Sequence, residues 1–207
     1  MNRWLDRGIT LLLLALLGWA GWSMLHWLLV AADWSVVTTN LPLYAVGSFP
    51  ADQRWRPLLW MAALITLTLL TLTGPKRGWV RRWLPLVWIA MAPLGLWLLA
   101  GGLGLLPVGT RSWGGLTLTL LLTGGSGALA LPLGILLALG RRSGLPVLRW
   151  SSAAYIELMR AVPLIAVLFF GQLLIPLFLP PGLEINRVLR AVVAFALFAA
   201  AYIAEDV

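Results

Sequence analysis

The residues of this chain that could do chemistry are few and widely spaced. The sequence of 207 residues has no cysteine, a single histidine, and seven acidic residues that form no cluster of carboxylates. It contains no HExxH zinc motif, no GxSxG nucleophile motif and no Walker-type loop ending in GK[ST]. Residues 124–127 read GGSG, but they lie in a long apolar run with no lysine after them. Because no catalytic constellation can be assembled, we predict a protein that is not an enzyme and that holds no metal or cofactor.

The composition is that of an integral membrane protein. Hydrophobic residues make up 61% of the chain and charged residues 11%, and the mean hydropathy is +0.93. A soluble domain carries about 25% charged residues. The net charge of +8 is explained by basic loops at the cytoplasmic face of a membrane, so we do not interpret it as a sign of nucleic-acid binding.

Six apolar segments predict an all-α, polytopic membrane helix bundle, since about 20 helical residues cross a bilayer core. The segments are residues 9–32, 57–73, 83–106, 114–140, 161–179 and 188–204. Residues 33–56 are expected to form a polar loop, because Pro42 and Pro50 oppose a continuous helix there. Residues 107–112 are expected to form a short turn, and residues 141–160 a basic connection with a weakly amphipathic part.

Small side chains recur every four residues in two of these segments. The positions are Ser126, Ala130, Gly134 and Ala138 in the fourth segment, and Ala196, Ala200 and Ala204 in the sixth. A ridge of small residues lets two membrane helices approach closely. We expect the ridges to serve packing within one bundle rather than dimerisation.

Basic residues are distributed unequally between the two sides of the predicted membrane. One side receives Arg3, Arg7, Lys76, Arg77, Arg81, Arg82, Arg141, Arg142, Arg149 and Arg160, and the other receives Arg54, Arg56, Arg111, Arg187 and Arg190. Cytoplasmic loops carry the excess of lysine and arginine in membrane proteins. Both termini of the chain are therefore predicted to be cytoplasmic.

Four motifs follow one another from Trp113 onward. They are WGGLTLTLLL at Trp113, LPLGILLALGRRSGLP at Leu131, YIELMRAVPL at Tyr155 and AYIAE at Ala201. In this order they resemble the permease subunits of bacterial ATP-driven (ABC-type) amino-acid importers. The later residues, including PLIAVLF and IPLFLPPGLEINRVLRA, are similar to the M-type permease of general L-amino-acid uptake systems. The resemblance covers about 95 residues of the chain.

The resemblance implies an architecture and a set of partners. Residues 113–207 would be a partial type I ABC permease core with three helices, and residues 1–112 an additional N-terminal region with three more. A second permease subunit, cytoplasmic ATPase subunits and a periplasmic amino-acid-binding protein would complete the importer. The chain would lie in the lipid of the inner membrane and pass an amino-acid substrate, and no nucleic acid is implied.

The same resemblance supplies the candidate functional residues. They are Tyr155, Glu157, Arg160, Pro163, Tyr202 and Glu205. A cytoplasmic role in folding or gating is implied for the first four, whereas Tyr202 and Glu205 would pass movement to the sixth segment. The spacing of three predicts that Glu157 pairs with Arg160 on one helical face. Pro132 and Pro163 are candidate helix breaks, with simple packing kinks as the alternative, and no substrate-binding residue is identified.

Two departures from the family pattern bear on function. Ala161 and Val162 stand where the family has Gly-Thr, and the sequence ends at Val207, before the glycine-rich coupling loop that follows AYxAE in the family. We therefore expect a truncated or split gene product that does not couple to ATP hydrolysis by itself. The alternatives are a non-transporting remnant or a membrane scaffold that pairs with a permease, and a small channel, for which the polar residues are few.

Overall fold

The computed structural model describes residues 3–73, 78–180 and 182–207, and for residues 79–81 it describes the backbone alone. The described residues form nine α-helices and no strand, apart from one isolated bridge between Gly102 and Leu105. The helices are α1 (Arg3–His26), α2 (Ser35–Val46), α3 (Trp55–Thr73), α4 (Gly78–Ala100), α5 (Gly115–Arg141), α6 (Pro146–Ala161), α7 (Leu164–Phe169), α8 (Ile175–Phe178) and α9 (Arg187–Asp206).

The predicted all-α membrane bundle is confirmed. Five of the described helical segments are long and apolar enough to cross a membrane, and α6 with α7–α8 forms a sixth if this bent pair is counted as one span. The five are Arg3–Ala31, Ala51–Thr73, Arg82–Ala100, Gly115–Arg141 and Arg187–Asp206. Of the predicted basic loop between the second and third segments, Lys76 and Arg77 lie outside the described residues.

The chain divides into two compact units, residues 1–41 and residues 42–207. In the first unit, α1 continues through a π-helical turn, Trp27–Ala31, into one apolar helix of 29 residues. Asp33 then caps the start of α2, because the backbone N–H of Ser35 donates to its Oδ1 at 2.9 Å. Hydrogen bonding by the Ser35 side chain, and next by its backbone N–H, holds the pKa of Asp33 below its usual range.

The prediction of a loop over residues 33–56 is wrong for residues 35–46, which form α2 with Pro42 inside it. A proline removes one backbone donor and so leaves one carbonyl of the preceding turn without its partner. Side chains add bonds to this part of the helix, since Asn40 Nδ2 donates to Val36 O at 2.7 Å and Thr38 Oγ1 to Ser35 O at 3.1 Å. After α2 the chain leaves the helical path at Gly47, whose φ is +65°.

In the second unit, α3 and α4 pack against each other and against the start of α5 around large apolar side chains. The buried members of this core are Val46, Phe49, Trp60, Met61, Leu98, Leu99, Val108, Trp113 and Leu121. Trp60 lies against Gly95, where any side chain would overlap the indole ring, and its Nε1 donates to Met91 O at 3.1 Å. Thr117 of α5 donates a hydrogen bond of 2.9 Å to Ala45 O and so joins α5 to the last turn of α2.

The third predicted segment ends earlier than expected, since α4 stops at Ala100 and not at residue 106. The two residues that follow, Gly101 and Gly102, have φ of +84° and +93°, which are left-handed values that suit glycine. Leu106 O lies so close to Gly101 that no side chain would fit there. The chain therefore reverses in a tight turn at this point instead of continuing as a helix.

The small-residue ridges of α5 and α9 face each other, which agrees with the predicted packing within one bundle and also identifies the two partner helices. Ala130, Gly134 and Ala138 of α5 are buried, and so are Ala196, Ala200 and Ala204 of α9. Gly134 has no space for a side chain, because Ile203 and the carbonyl of Ala200 lie against it. The seam between α5 and α9 is thus an intramolecular contact, and Pro132 lies within α5 without interrupting it.

Candidate functional site

The candidate site is built where α6 meets the last turns of α5 and α9. Ser152 of α6 lies against Gly140, where a side chain would overlap it. Ile156 is fully buried and packs with Ala138 of α5 and Ala204 of α9. The basic stretch that was expected to be a connection is therefore mostly a helix, held across the ends of two others.

Two arginines from different helices share one carboxylate at this place. Arg141 Nη1 lies 2.5 Å from Glu205 Oε2, and Arg160 Nη1 lies 3.1 Å from the same oxygen. Arg141 is the last residue of α5, Arg160 lies at the end of α6, and Glu205 at the end of α9. We call these three residues the Glu205 cluster, and it joins the ends of three helices.

The predicted pairing of Glu157 with Arg160 is wrong. The ion pairs in the described part of the chain are those of the Glu205 cluster, and Glu157 takes part in neither. The reason is geometric, because α6 lies across the end of α9 and brings Arg160 to Glu205. The spacing of three in the sequence favours a local pair, but the tertiary contact offers Arg160 a carboxylate that also binds Arg141.

Tyr155 fastens α6 to α9 at a second point. Its hydroxyl donates a hydrogen bond of 2.9 Å to the backbone carbonyl of Leu197, slightly more than two turns before Glu205. Pro163 caps the start of α7 in an extended conformation, with φ of −60° and ψ of 138°. At Val162 and Pro163, between α6 and α7–α8, the chain turns by 104°. The helix break that was predicted at Pro163 is therefore present.

The structure separates Tyr202 from this group. Its side chain is exposed, and its ring packs on Phe198 with the centroids 5.0 Å apart.

Sequence analysis missed Arg141, the second cation of the Glu205 cluster. The signal in the sequence is the pair Arg141-Arg142 directly after a long apolar segment, a pattern that by itself indicates only the orientation of the helix in the membrane.

A second polar group lies at the other end of α9. Gln172 belongs to a π-helical turn, Phe170–Leu174, that joins α7 to α8, and its Nε2 donates to Arg187 O at 2.9 Å. Arg190 Nη1 donates to Gln172 O at 3.0 Å, and Arg187 Nη2 to Thr110 O at 2.7 Å. A cavity of about 180 Å³ opens here, lined by Leu118, Leu122, Gln172, Arg187, Val188 and Ala191. Single π-helical turns within a helix are frequent at functional sites.

The two polar groups lie at opposite ends of α9, whose 20 residues span about 30 Å. The Glu205 cluster is partly exposed, with 39% of each arginine side chain and 36% of the glutamate accessible. Exposed ion pairs contribute about 0–1 kcal/mol each to stability. The Glu205 cluster therefore holds the three helix ends together, and yet little free energy is needed to separate its charges.

Comparison of the sequence with known proteins shows what this chain is similar to. The inner membrane amino-acid ABC transporter permease protein YhdY of Escherichia coli K12 is 40% identical over 193 residues, which cover 91% of this chain and 52% of YhdY. The chain is homologous to amino-acid ABC transporter permeases. This finding confirms the resemblance that the four motifs indicate.

Two further relatives carry the same kind of name. BztC of Rhodobacter capsulatus, a glutamate/glutamine/aspartate/asparagine transport system permease protein, is 33% identical, and the match covers 84% of this chain and 53% of BztC. GltK of Escherichia coli O157:H7, a glutamate/aspartate import permease protein, is 34% identical over 44% of this chain and 43% of its own length. The chain spans about half the length of YhdY and BztC. No family model matches the chain, and no solved structure matches it.

Proposed function

We propose that this chain is a membrane-spanning permease subunit of an ABC transporter that imports amino acids across a bacterial inner membrane. The observation that carries the proposal is the match to YhdY, which extends over nine-tenths of the chain. The described helices support it, since five of them are long and apolar enough to cross a membrane. The importer would also contain a second permease subunit, ATPase subunits and a periplasmic amino-acid-binding protein.

In this proposal the Glu205 cluster is a gating contact at the cytoplasmic side. It joins α5, α6 and α9 through charges that stay accessible to water, so movement of any one helix end strains the other two. Tyr155 and Pro163 would position α6 for this contact, the first by its bond to α9 and the second by the turn that follows α6. Glu157 and Tyr202 would take a lesser part, because neither touches the cluster.

The proposed orientation puts both termini and the Glu205 cluster in the cytoplasm. The excess of arginine around α6 supports it. The chain has no cysteine, so Ser143→Cys and Ser112→Cys form a matched pair just beyond the two ends of α5. In intact cells a membrane-impermeant thiol reagent is expected to label Ser112→Cys and to miss Ser143→Cys until the membrane is permeabilised. Labelling in the opposite order contradicts this orientation.

Transport itself is tested in proteoliposomes that contain the chain together with the second permease, the ATPase and the binding protein of the same organism. ATP-dependent uptake of radiolabelled L-amino acids is expected to require the chain. Uptake that is equal with and without the chain contradicts the proposal. A chain that assembles with the other subunits but supports no uptake would instead be a membrane scaffold.

A further inference from the structure

The cavity at the start of α9 is built by three helical elements, and we call it the Gln172 cavity. Its apolar part is lined by Leu118 and Leu122 of α5 and by Val188 and Ala191 of α9. Its two polar side chains are those of Gln172 and Arg187. The volume of about 180 Å³ is that of about six water molecules in the liquid. A small molecule of amino-acid size fits this space, whereas a whole phospholipid does not.

The side-chain amide of Gln172 is held so that its oxygen stays available. Nε2 donates to Arg187 O at 2.9 Å, and because a backbone carbonyl only accepts, this contact fixes which end of the amide is the nitrogen. The backbone carbonyl of Gln172 is already occupied, since Arg190 Nη1 donates to it at 3.0 Å. Gln172 Oε1 accepts no hydrogen bond from the described residues. An ammonium group is a donor that this oxygen can bind.

Arg187 brings a positive charge to the same cavity. Its side chain is exposed and therefore open to a solute. Nη2 donates to Thr110 O at 2.7 Å, whereas a guanidinium has five N–H donors. The remaining donors make no hydrogen bond to the part of the chain that the structure describes. A guanidinium with free donors pairs best with a carboxylate or a phosphate, because both oxygens of such a group accept at once.

Carboxylates of the described chain do not neutralise the cations at this end of α9. Neither Arg187 nor Arg190 makes an ion pair there, and Arg190 Nε is buried without a hydrogen-bond partner. Arg111 follows Thr110 directly, and Glu184 is the acidic residue between α8 and α9. Glu184 makes no ion pair with the described residues either. The surplus of positive charge attracts an anionic group.

We propose that the Gln172 cavity is an amino-acid subsite of the permease. Arg187 binds the carboxylate, Gln172 Oε1 accepts from the ammonium group, and an aliphatic side chain lies against Leu122 and Val188. The ammonium acceptor favours an amino acid over inorganic phosphate, and the apolar lining favours an uncharged side chain. In the proposed orientation the cavity lies on the outer side, at the opposite end of α9 from the Glu205 cluster. The subsite rests on the proposed function and gives the imported amino acid a first place on this chain.

Saturation-transfer NMR tests the subsite with L-valine as the probe and the full chain in detergent micelles. The method detects weak binding and needs neither the ATPase nor the binding protein. We expect transfer to valine, strongest at its methyl protons, because these face the apolar lining. Isovalerate lacks the ammonium group and isobutylamine lacks the carboxylate. Each should bind about tenfold more weakly than valine, since one hydrogen bond to a charged group is lost.

Three variants separate the cavity from the rest of this end of the molecule. Arg187→Gln removes the charge, and Leu122→Trp fills the cavity but keeps both polar side chains. Both are expected to weaken valine binding by about tenfold or more. Leu122→Trp also keeps the bond from Arg187 to Thr110 O, so it tests the cavity without that structural contact. Arg111→Gln removes a cation that does not line the cavity and should leave valine binding unchanged.

Amino-acid uptake by the reconstituted importer distinguishes the subsite from the proposed function. Arg187→Gln and Leu122→Trp should lower uptake, and Arg111→Gln should not. Normal uptake by the unmodified chain overturns the subsite if valine shows no transfer, if the three variants bind valine equally, or if isovalerate binds as well as valine. The proposed function then stands. Absence of uptake with the unmodified chain, together with valine binding that Arg187→Gln and Leu122→Trp lose, keeps the subsite and overturns the proposed function.

Discussion

Arginines are used in opposite ways at the two ends of the second unit. At the end where α3 begins, Arg56 is 1% exposed and makes no ion pair with any carboxylate in the described part of the chain. Its Nε donates to Leu98 O at 2.7 Å, and its Nη1 donates to Leu106 O at 2.9 Å and to Gln53 Oε1. We call these four residues the Arg56 cluster. In the Glu205 cluster, by contrast, two arginines that are partly open to water share one charged acceptor.

The difference separates a fixed part of the molecule from a part that can move. Leu98 lies in the last turn of α4, so its carbonyl is one of those that the helix itself leaves unpaired. Arg56 supplies that partner and places a positive charge where the helix dipole is negative. Breaking this buried contact exposes carbonyls to an apolar core at high cost. Opening the exposed Glu205 cluster lets water solvate each charge, so that end of the molecule is suited to gating.

The largest effect on stability is expected for Arg56→Met. The substitution removes the donors for Leu98 O and Leu106 O, and each buried unpaired carbonyl costs about 1–3 kcal/mol. We expect the free energy of unfolding in detergent to fall by about 2–4 kcal/mol. The exposed Arg111→Met, at the same end of the molecule, is the control and should change it little. An equal, small effect of both substitutions would remove the distinction between the two clusters.

A smaller effect is expected in the seam of α5 and α9, which connects the two ends. Gly134→Ala places a methyl group against Ile203 and Ala200, and overpacking costs about 1–3 kcal/mol. At Gly127, in the same helix, nothing lies within 4 Å of an added methyl group. Gly127→Ala should therefore be neutral or stabilising, because alanine favours helix. Thermal unfolding of the two variants side by side checks this contrast.

The seam and the two clusters also differ in how far the sequence predicts them. A ridge of small residues is visible as a period of four, because side-chain size and helical spacing are both properties of the sequence. The Arg56 cluster is not visible in this way, since the acceptors are backbone carbonyls 42 and 50 residues further along the chain. Sequence analysis counted Arg56 among the loop charges on one side of the membrane, and backbone carbonyls are the same in every residue.

The Glu205 cluster is an intermediate case. The motifs identified Arg160 and Glu205 separately, but they did not pair them, and the local spacing indicated Glu157 instead. Arg141 and Glu205 are 64 residues apart, and their contact depends on the packing of α5 against α9. The contact of Arg160 with Glu205 depends on the angle at which α6 crosses the helix ends. That angle follows from the turn at Pro163 and from the close approach of Ser152 to Gly140. These are tertiary properties that no single segment contains.

Tyr155→Phe tests whether a hydrogen bond, in addition to the ion pair of Arg160, holds α6 against α9. It deletes the hydrogen bond to Leu197 O and keeps the ring, so stability should fall by about 0.5–1.5 kcal/mol. Tyr202→Phe is the matched control, because the Tyr202 hydroxyl makes no hydrogen bond to the described residues. Hydrogen exchange of the α6 amides should rise in Tyr155→Phe alone. Faster exchange in both variants would mean that the Tyr155 bond does not hold α6.

The smallest effect on stability, about 0–1 kcal/mol, is expected for Glu205→Gln. This substitution keeps the shape of the side chain but removes the charge that Arg141 and Arg160 share. Amino-acid uptake in the reconstituted importer should nevertheless change severalfold, because the three helix ends lose their common contact while the fold remains intact. Glu157→Gln removes an exposed charge of α6 that lies outside the Glu205 cluster and should change uptake far less. A large loss of stability with normal uptake per folded molecule would make the Glu205 cluster structural, like the Arg56 cluster, and would end its interpretation as a gate.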